Sequence, residues 1–176
     1  QGDTPSGERL SFGCAVIATG APPFVPPIPG AVEGLAEGSG VLTSDTVWFL
    51  DQQPKKLVVI GGGAIGLEMA QIFQDFGARV TVLEARDRIL AEVEPEIAKH
   101  LTAVLNDDPR LSVHTSVQIE KISGKAGAVT VRYKDAGGKP HSTKVDYVIM
   151  ATGKRPVLDG LGLDKAGVDL DGLVIK

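Results

Sequence analysis

Apolar residues in this chain fall into three patterns, and each predicts a different element. Leu57–Ile60 and Tyr147–Met150 are short unbroken apolar runs, as is Cys14–Ala18, and Val80–Leu83 is interrupted only by Thr81. Runs of that length, rich in β-branched residues, read as strands buried on both faces. Ile65, Met69, Ile72, Phe73 and Phe76 recur at helical spacing, with Gly77 placed to end that helix. Pro95 opens a second amphipathic helix through Ile97, Leu101, Val104 and Leu105, which Asn106–Pro109 stop. Thr43 or Ser44 is placed to cap a short helix with Val47, Trp48 and Leu50, ending before Pro54. The period then drops to two: Val113–Ile122, Val129–Tyr133 and His141–Val145 alternate like antiparallel strands, with turns at Gly124–Gly127 and Gly137-Gly138.

The order is therefore a βαβαβ core, a meander and a returning parallel strand. It predicts an α/β fold: a Rossmann-like parallel sheet with helices on its faces, plus an antiparallel β-meander. Between the first strand and the core, Pro22, Pro23, Pro26, Pro27 and Pro29 crowd the chain and favour an extended connector. The tail, Pro156–Lys176, is glycine-rich and carries no amphipathic helix of usable length.

The junction of the second strand and the first long helix carries the chemistry. There the chain reads Gly61-Gly62-Gly63-Ala64-Ile65-Gly66, a G-x-G-x-x-G turn. Gly61 permits the tight turn, Gly63 leaves room for a pyrophosphate to approach the backbone, and Gly66 lets the helix pack closely on the sheet. The free N–H groups at the helix start attract phosphate. About 20 residues on, the next strand ends in Glu84, where a carboxylate accepts hydrogen bonds from ribose hydroxyls and repels a 2′-phosphate. Strand, glycine turn, helix and acid together predict a dinucleotide site, with NAD favoured over NADP. Arg86 and Arg88 read as solvated loop charges that offset Asp87.

Composition excludes several alternatives. The chain has 176 residues, 43% hydrophobic and 23% charged, with a net charge of −4. An acidic balance with scattered lysines and arginines argues against nucleic acid as a partner. No apolar run reaches the roughly 18–20 residues of a membrane span, and the start, Gln1-Gly2-Asp3, has no signal-peptide pattern. The single cysteine, Cys14, reads as a buried strand residue; it excludes an intrachain disulfide and fits a reducing, cytoplasmic compartment. His100, His114 and His141 do not cluster with other ligand types, so no metal site is expected; His100, four residues after Glu96, reads as half of a surface pair.

Two apolar runs, at Ala15–Gly20 and Tyr147–Gly153, both end in Ala-Thr-Gly and bracket the glycine unit. With Val59–Glu68, Val80–Glu84, Arg88-Ile89-Leu90, Ala151–Pro156 and Leu161–Val168, they make the chain resemble the pyridine nucleotide–disulfide oxidoreductases, most closely the dihydrolipoamide dehydrogenase branch. The resemblance implies the NAD-binding domain of a flavoprotein with two dinucleotide-binding domains, inserted at the two Ala-Thr-Gly strands into an FAD-binding domain. On that basis residues 1–42 are a stub of the FAD domain and linker, 43–153 the NAD domain, and 154–176 the returning stub.

The resemblance adds Glu68, as an acid near the nicotinamide in the first turn of the helix, Ala85 beside Glu84, Val117 near the adenine, and Gly153 as a backbone contact on the nicotinamide side. Thr19 and Gly20 are implied at the flavin edge of the parent protein. Lys154 stands where the family more often has Arg, and Val157 where Asn is usual. The family's flavin-binding glycine motif, redox CxxxxC pair and dimerisation domain are not in these 176 residues. The implied parent is an FAD- and NAD-dependent disulfide reductase, a homodimer acting on a small molecule or lipoyl domain. The chain itself is expected to bind NAD(H) without catalysis. Two other readings are an NADH oxidase or ferredoxin-type reductase, and a non-catalytic nucleotide sensor.

Overall fold

The computed structural model describes residues 2–3 and 7–176; the polar start at Gln1 lies outside them. Its elements in chain order are β1 (Gly2–Asp3), β2 (Arg9–Leu10), β3 (Val41–Thr43), β4 (Lys56–Ile60), α1 (Ala64–Asp75), β5 (Arg79–Leu83), α2 (Pro95–Asp107), β6 (Leu111–His114), β7 (Gln118–Lys125), β8 (Ala128–Lys134), β9 (Pro140–Val145), β10 (Tyr147–Met150), β11 (Leu170–Asp171) and β12 (Val174–Ile175). They form two compact units, Pro22–Arg155 and the pair Gln1–Ala21 with Pro156–Lys176.

In the larger unit a parallel five-stranded sheet runs β3-β10-β4-β5-β6. Its central strands β10, β4 and β5 are mostly apolar because both faces are covered. Leu57 and Val59 pack with Leu67, Ala70 and Phe73 of α1 and with Ala98 and Leu105 of α2. Val58 and Ile60 point the other way, against Ile122, Val129, Val131 and Tyr133 of the antiparallel sheet β7-β8-β9. Both helices share one face, since β4, β5 and β6 advance in one direction and each right-handed crossover returns on the same side. Burying each such Val, Leu or Ile stabilises the fold by roughly 1.5–3 kcal/mol. The sheet order reverses between β4 and β10, so a crevice opens at their carboxyl ends, the usual ligand position in such folds.

The β4-α1-β5-α2-β6 order, both helix starts and the meander turns agree with the sequence pattern. Other expectations need correction. Residues 14–18 form no strand, Cys14 is exposed rather than buried, and Val16 is 92% exposed. A buried strand needs neighbours, and among the described residues none pairs with this run. Val113–Ile122 is two strands: β6 ends at His114 in parallel pairing with β5, and β7 starts antiparallel at Gln118. The break falls at Ser116, whose φ of 53° turns the chain.

The short helix after Thr43 is a single 3₁₀ turn over Val47–Phe49. Thr43 belongs to β3 instead, and its N–H donates to Thr46 Oγ1 at 2.9 Å. The apolar stripes are also narrower than their spacing suggests. Phe76 is 63% exposed, and Ile97 and Val104 face solvent, while Ala98, Leu101 and Leu105 make the contact of α2 with the core. Among the described residues His100 forms no ion pair with Glu96.

The smaller unit holds two short hairpins, β1-β2 and β11-β12. Within it, Thr19 Oγ1 donates to the Val157 carbonyl at 2.9 Å and the Val157 N–H donates to the Gly20 carbonyl.

Candidate functional site

The carboxyl ends of β4, β5 and β10 open into a cavity of about 760 Å³. Gly61, Gly62, Gly63, Ala64 and Ile65 form one side of it, Glu84, Ala85 and Val117 another, and Ala151 to Lys154 a third. The sequence-predicted residues from three separate segments thus meet at one place.

Each glycine of the turn has a distinct environment. Gly61 has φ +112°, and a Cβ there would lie 2.2 Å from the Ala151 carbonyl oxygen. A Cβ on Gly66 would lie 2.1 Å from the Gly61 oxygen, so α1 touches the strand end at this residue. Gly63 differs: its φ is −77°, and a Cβ would meet no heavy atom within 4 Å. The fold needs Gly61 and Gly66 for its own packing, whereas the space beside Gly63 is not filled by the protein. Gly63 is also the N-cap of α1, with no side chain capping the helix. The first turn therefore leaves its N–H groups without intrahelical acceptors, next to the cavity.

Glu84 is fixed from two sides. Its Oε2 accepts the Gly62 N–H at 2.5 Å and its Oε1 accepts the Arg86 N–H at 2.7 Å. Each carboxylate oxygen keeps a further lone pair for another donor. The Glu84 backbone is also held, its N–H donating to the His114 carbonyl and its carbonyl accepting the Val117 N–H. Val117 is buried in the same step. Gly153 lines the cavity, and its carbonyl accepts the Phe24 N–H at 2.8 Å.

Three predicted residues lie apart from this group. Glu68 is exposed on α1 and stands past the first turn, which holds no acid, and it is not part of the cavity wall. Thr19 and Gly20 belong to the smaller unit.

The arginines that read as solvated charges both reach the wall. Arg86 pairs with Glu92 at 2.7 Å. That hydrogen bond holds the Glu92 carboxyl below its ordinary range and raises the Arg86 guanidinium above its own. Arg88 is turned into the loop: Nη2 donates to the Ala91 carbonyl at 2.9 Å, and Nε is buried without a partner.

Sequence reasoning missed Leu90, Ala91 and Val93 of this wall, and Pro23, Pro26 and Ile28 of the proline-rich segment. Leu90 adopts φ 45°, uncommon for a non-glycine residue, while its N–H donates to the Gly62 carbonyl at 2.9 Å. The Arg88-Ile89-Leu90 run was the available signal, and nothing in a proline-dense connector marks it as a wall. Among the described residues no group of three His, Cys, Asp or Glu is arranged to hold a metal ion, and no helix is long and apolar enough to cross a membrane.

Comparison with known proteins places the whole chain in one family. The profile of the pyridine nucleotide-disulphide oxidoreductase family matches residues 1–175. A dihydrolipoyl dehydrogenase of Bacillus subtilis (strain 168) is 32% identical over 168 residues, covering 96% of this chain and 34% of that protein. A mercuric reductase of Lysinibacillus sphaericus is 33% identical over 164 residues, covering 93% and 29%. The solved HOCl-induced flavoprotein disulfide reductase RclA from Escherichia coli superposes with a TM-score of 0.73 at 31% identity, covering 89% of this chain and 34% of that one. The chain thus spans about a third of the length of these relatives.

Proposed function

The chain belongs to the pyridine nucleotide–disulphide oxidoreductase family, and on that premise we propose that residues 43–153 bind NAD(H) in the cavity at the carboxyl ends of β4 and β5. The observation that carries this reading is the pairing of unfilled space beside Gly63 with the anchored carboxylate of Glu84. The cavity fits the nucleotide chemically. The N–H groups of Gly63, Ala64 and Ile65 hold the pyrophosphate, aided by the positive end of α1. Glu84 takes the adenosine ribose hydroxyls on its remaining lone pairs and repels a 2′-phosphate, so NADH binds in preference to NADPH. Ala85 and Val117 supply apolar surface for the adenine, and the backbone at Gly153 bounds the nicotinamide side. Glu68, outside the cavity wall, is left to contacts of the full-length protein.

When bound, the nicotinamide supplies the hydride-exchange chemistry; this chain's part is to hold and orient it. In the parent we place residues 1–42 and 154–176 as segments of an FAD-binding domain, with Thr19 and Gly20 near the flavin, and assign the whole to oxidation of a dihydrolipoyl group to the lipoyl disulfide with NAD+ as the hydride acceptor, in the cytoplasm, as a homodimer. The relative named mercuric reductase supports a second reading, in which the same nucleotide domain serves metal-ion reduction. Calorimetric titration of the folded chain with NADH and NADPH tests the nucleotide assignment. Tighter NADH binding is expected; no binding of either, or equal binding of both, contradicts it.

A further inference from the structure

One charged pair on the cavity wall has no part in the nucleotide contacts assigned above. Arg86 lies two residues past Glu84, and its Nη1 donates to Glu92 Oε1 at 2.7 Å across the loop between β5 and α2. Arg86, Glu84 and Glu92 all line the same cavity.

The Arg86 backbone is held at both ends. Its N–H donates to Glu84 Oε1 at 2.7 Å, and its carbonyl accepts the Ser116 N–H at 2.7 Å. Only its side chain is free to change partner. The neighbouring Arg88 is not in that position, because its guanidinium already serves the loop through the Ala91 carbonyl.

A guanidinium this near a ribose-binding carboxylate is the group best suited to a 2′-phosphate, by charge and by its forked donors. Here it is already engaged. Resting on the nucleotide reading above, we propose that Glu92 is a specificity residue, which captures Arg86 and so withholds it from the 2′-phosphate of NADPH. Discrimination against NADPH then has two sources, the negative charge of Glu84 and the capture of Arg86 by Glu92. The pair is exposed, 62% at Arg86 and 86% at Glu92, so breaking it costs the fold little. For a phosphate bound beside it the change is larger, because neutralising Glu92 removes a negative charge and releases a positive one.

The test is titration of the folded Glu92→Gln chain and of the Arg86→Ala/Glu92→Gln double variant with NADPH and NADH at low salt. Glu92→Gln should raise the ratio of NADPH to NADH affinity about three- to tenfold, and about 0.5 M salt should erase most of the gain. The double variant should lose the gain. An unchanged ratio in a folded Glu92→Gln chain, or a gain that persists in the double variant, overturns the assignment of Glu92 while leaving the NADH site standing. A wild-type chain that binds neither nucleotide overturns the site itself, and Glu92's role with it.

Discussion

Replacing Gly63 separates binding from folding. At φ −77° and ψ 178° the backbone is acceptable to any residue, and an added Cβ meets nothing within 4 Å. The folding cost of Gly63→Ala or Gly63→Val is then the loss of a favourable N-cap, about 0.5–1 kcal/mol. On the proposed nucleotide reading, the same side chain stands where the pyrophosphate approaches. Loss of one charge-assisted hydrogen bond there is worth about 1.5–3 kcal/mol, an affinity loss of roughly 10- to 150-fold. Gly66→Ala should do the reverse: its Cβ would sit 2.1 Å from the Gly61 carbonyl oxygen, so helix and strand must separate. Overpacking of that kind costs about 1–3 kcal/mol. Urea denaturation gives the stability and NADH calorimetry the affinity. A Gly63→Val chain that folds and binds NADH as tightly as wild type refutes the argument, and so does a Gly66→Ala chain of undiminished stability.

Glu84→Ala should narrow the gap between NADH and NADPH affinities, measured by competitive titration; an unaltered ratio shows that the carboxylate does not read the ribose. Asp108 accepts from the Arg110 side chain and backbone, which lowers its carboxyl from 3.8 to about 2. A depressed carboxyl stabilises the fold above its unfolded value and loses that contribution as pH falls through about 2. Asp108→Asn should therefore lower Tm at pH 6 and lose most of its effect near pH 2, and a Tm difference constant across that range counts against the pairing. Ser116 holds φ 53° and is exposed, so Ser116→Gly should raise stability by up to about 1 kcal/mol in urea titration, whereas destabilisation would show that its side chain matters more than its backbone. The 176-residue chain should purify without flavin absorbance and show no lipoamide-dependent NADH oxidation, since Cys14 alone cannot form an intrachain disulfide; stoichiometric FAD binding would contradict this.

What could be read from the sequence was chemistry confined to neighbours in the chain. The roles of Gly61 and Gly66 follow from the turn they occupy, and the structure gives each the close contact that excludes a side chain. Val58 and Val59 face opposite cores, which accounts for the unbroken apolar run of β4. Contacts set by distant partners were hidden. Residues 14–18 have the pattern of a buried strand and form none, because pairing depends on neighbours that a local pattern does not specify. The border between β6 and β7 lies at a left-handed serine, a residue that carries no strong turn signal, so the two strands read as one. Arg86 is solvated, as its sequence suggests, but its partner Glu92 lies six residues on, past the positive-φ residue Leu90, and no local pattern marks that pairing.

The central claim is that the glycine turn and Glu84 form one nucleotide site, and backbone amide resonances report on it directly. Titrating the isotopically labelled chain with NADH should move the amides of Gly62, Gly63, Ala64 and Ile65 together with those of Glu84, Ala85 and Val117, at a single saturating stoichiometry. If those amides stay still while NADH binds elsewhere, or if saturating NADH moves none, the account is wrong.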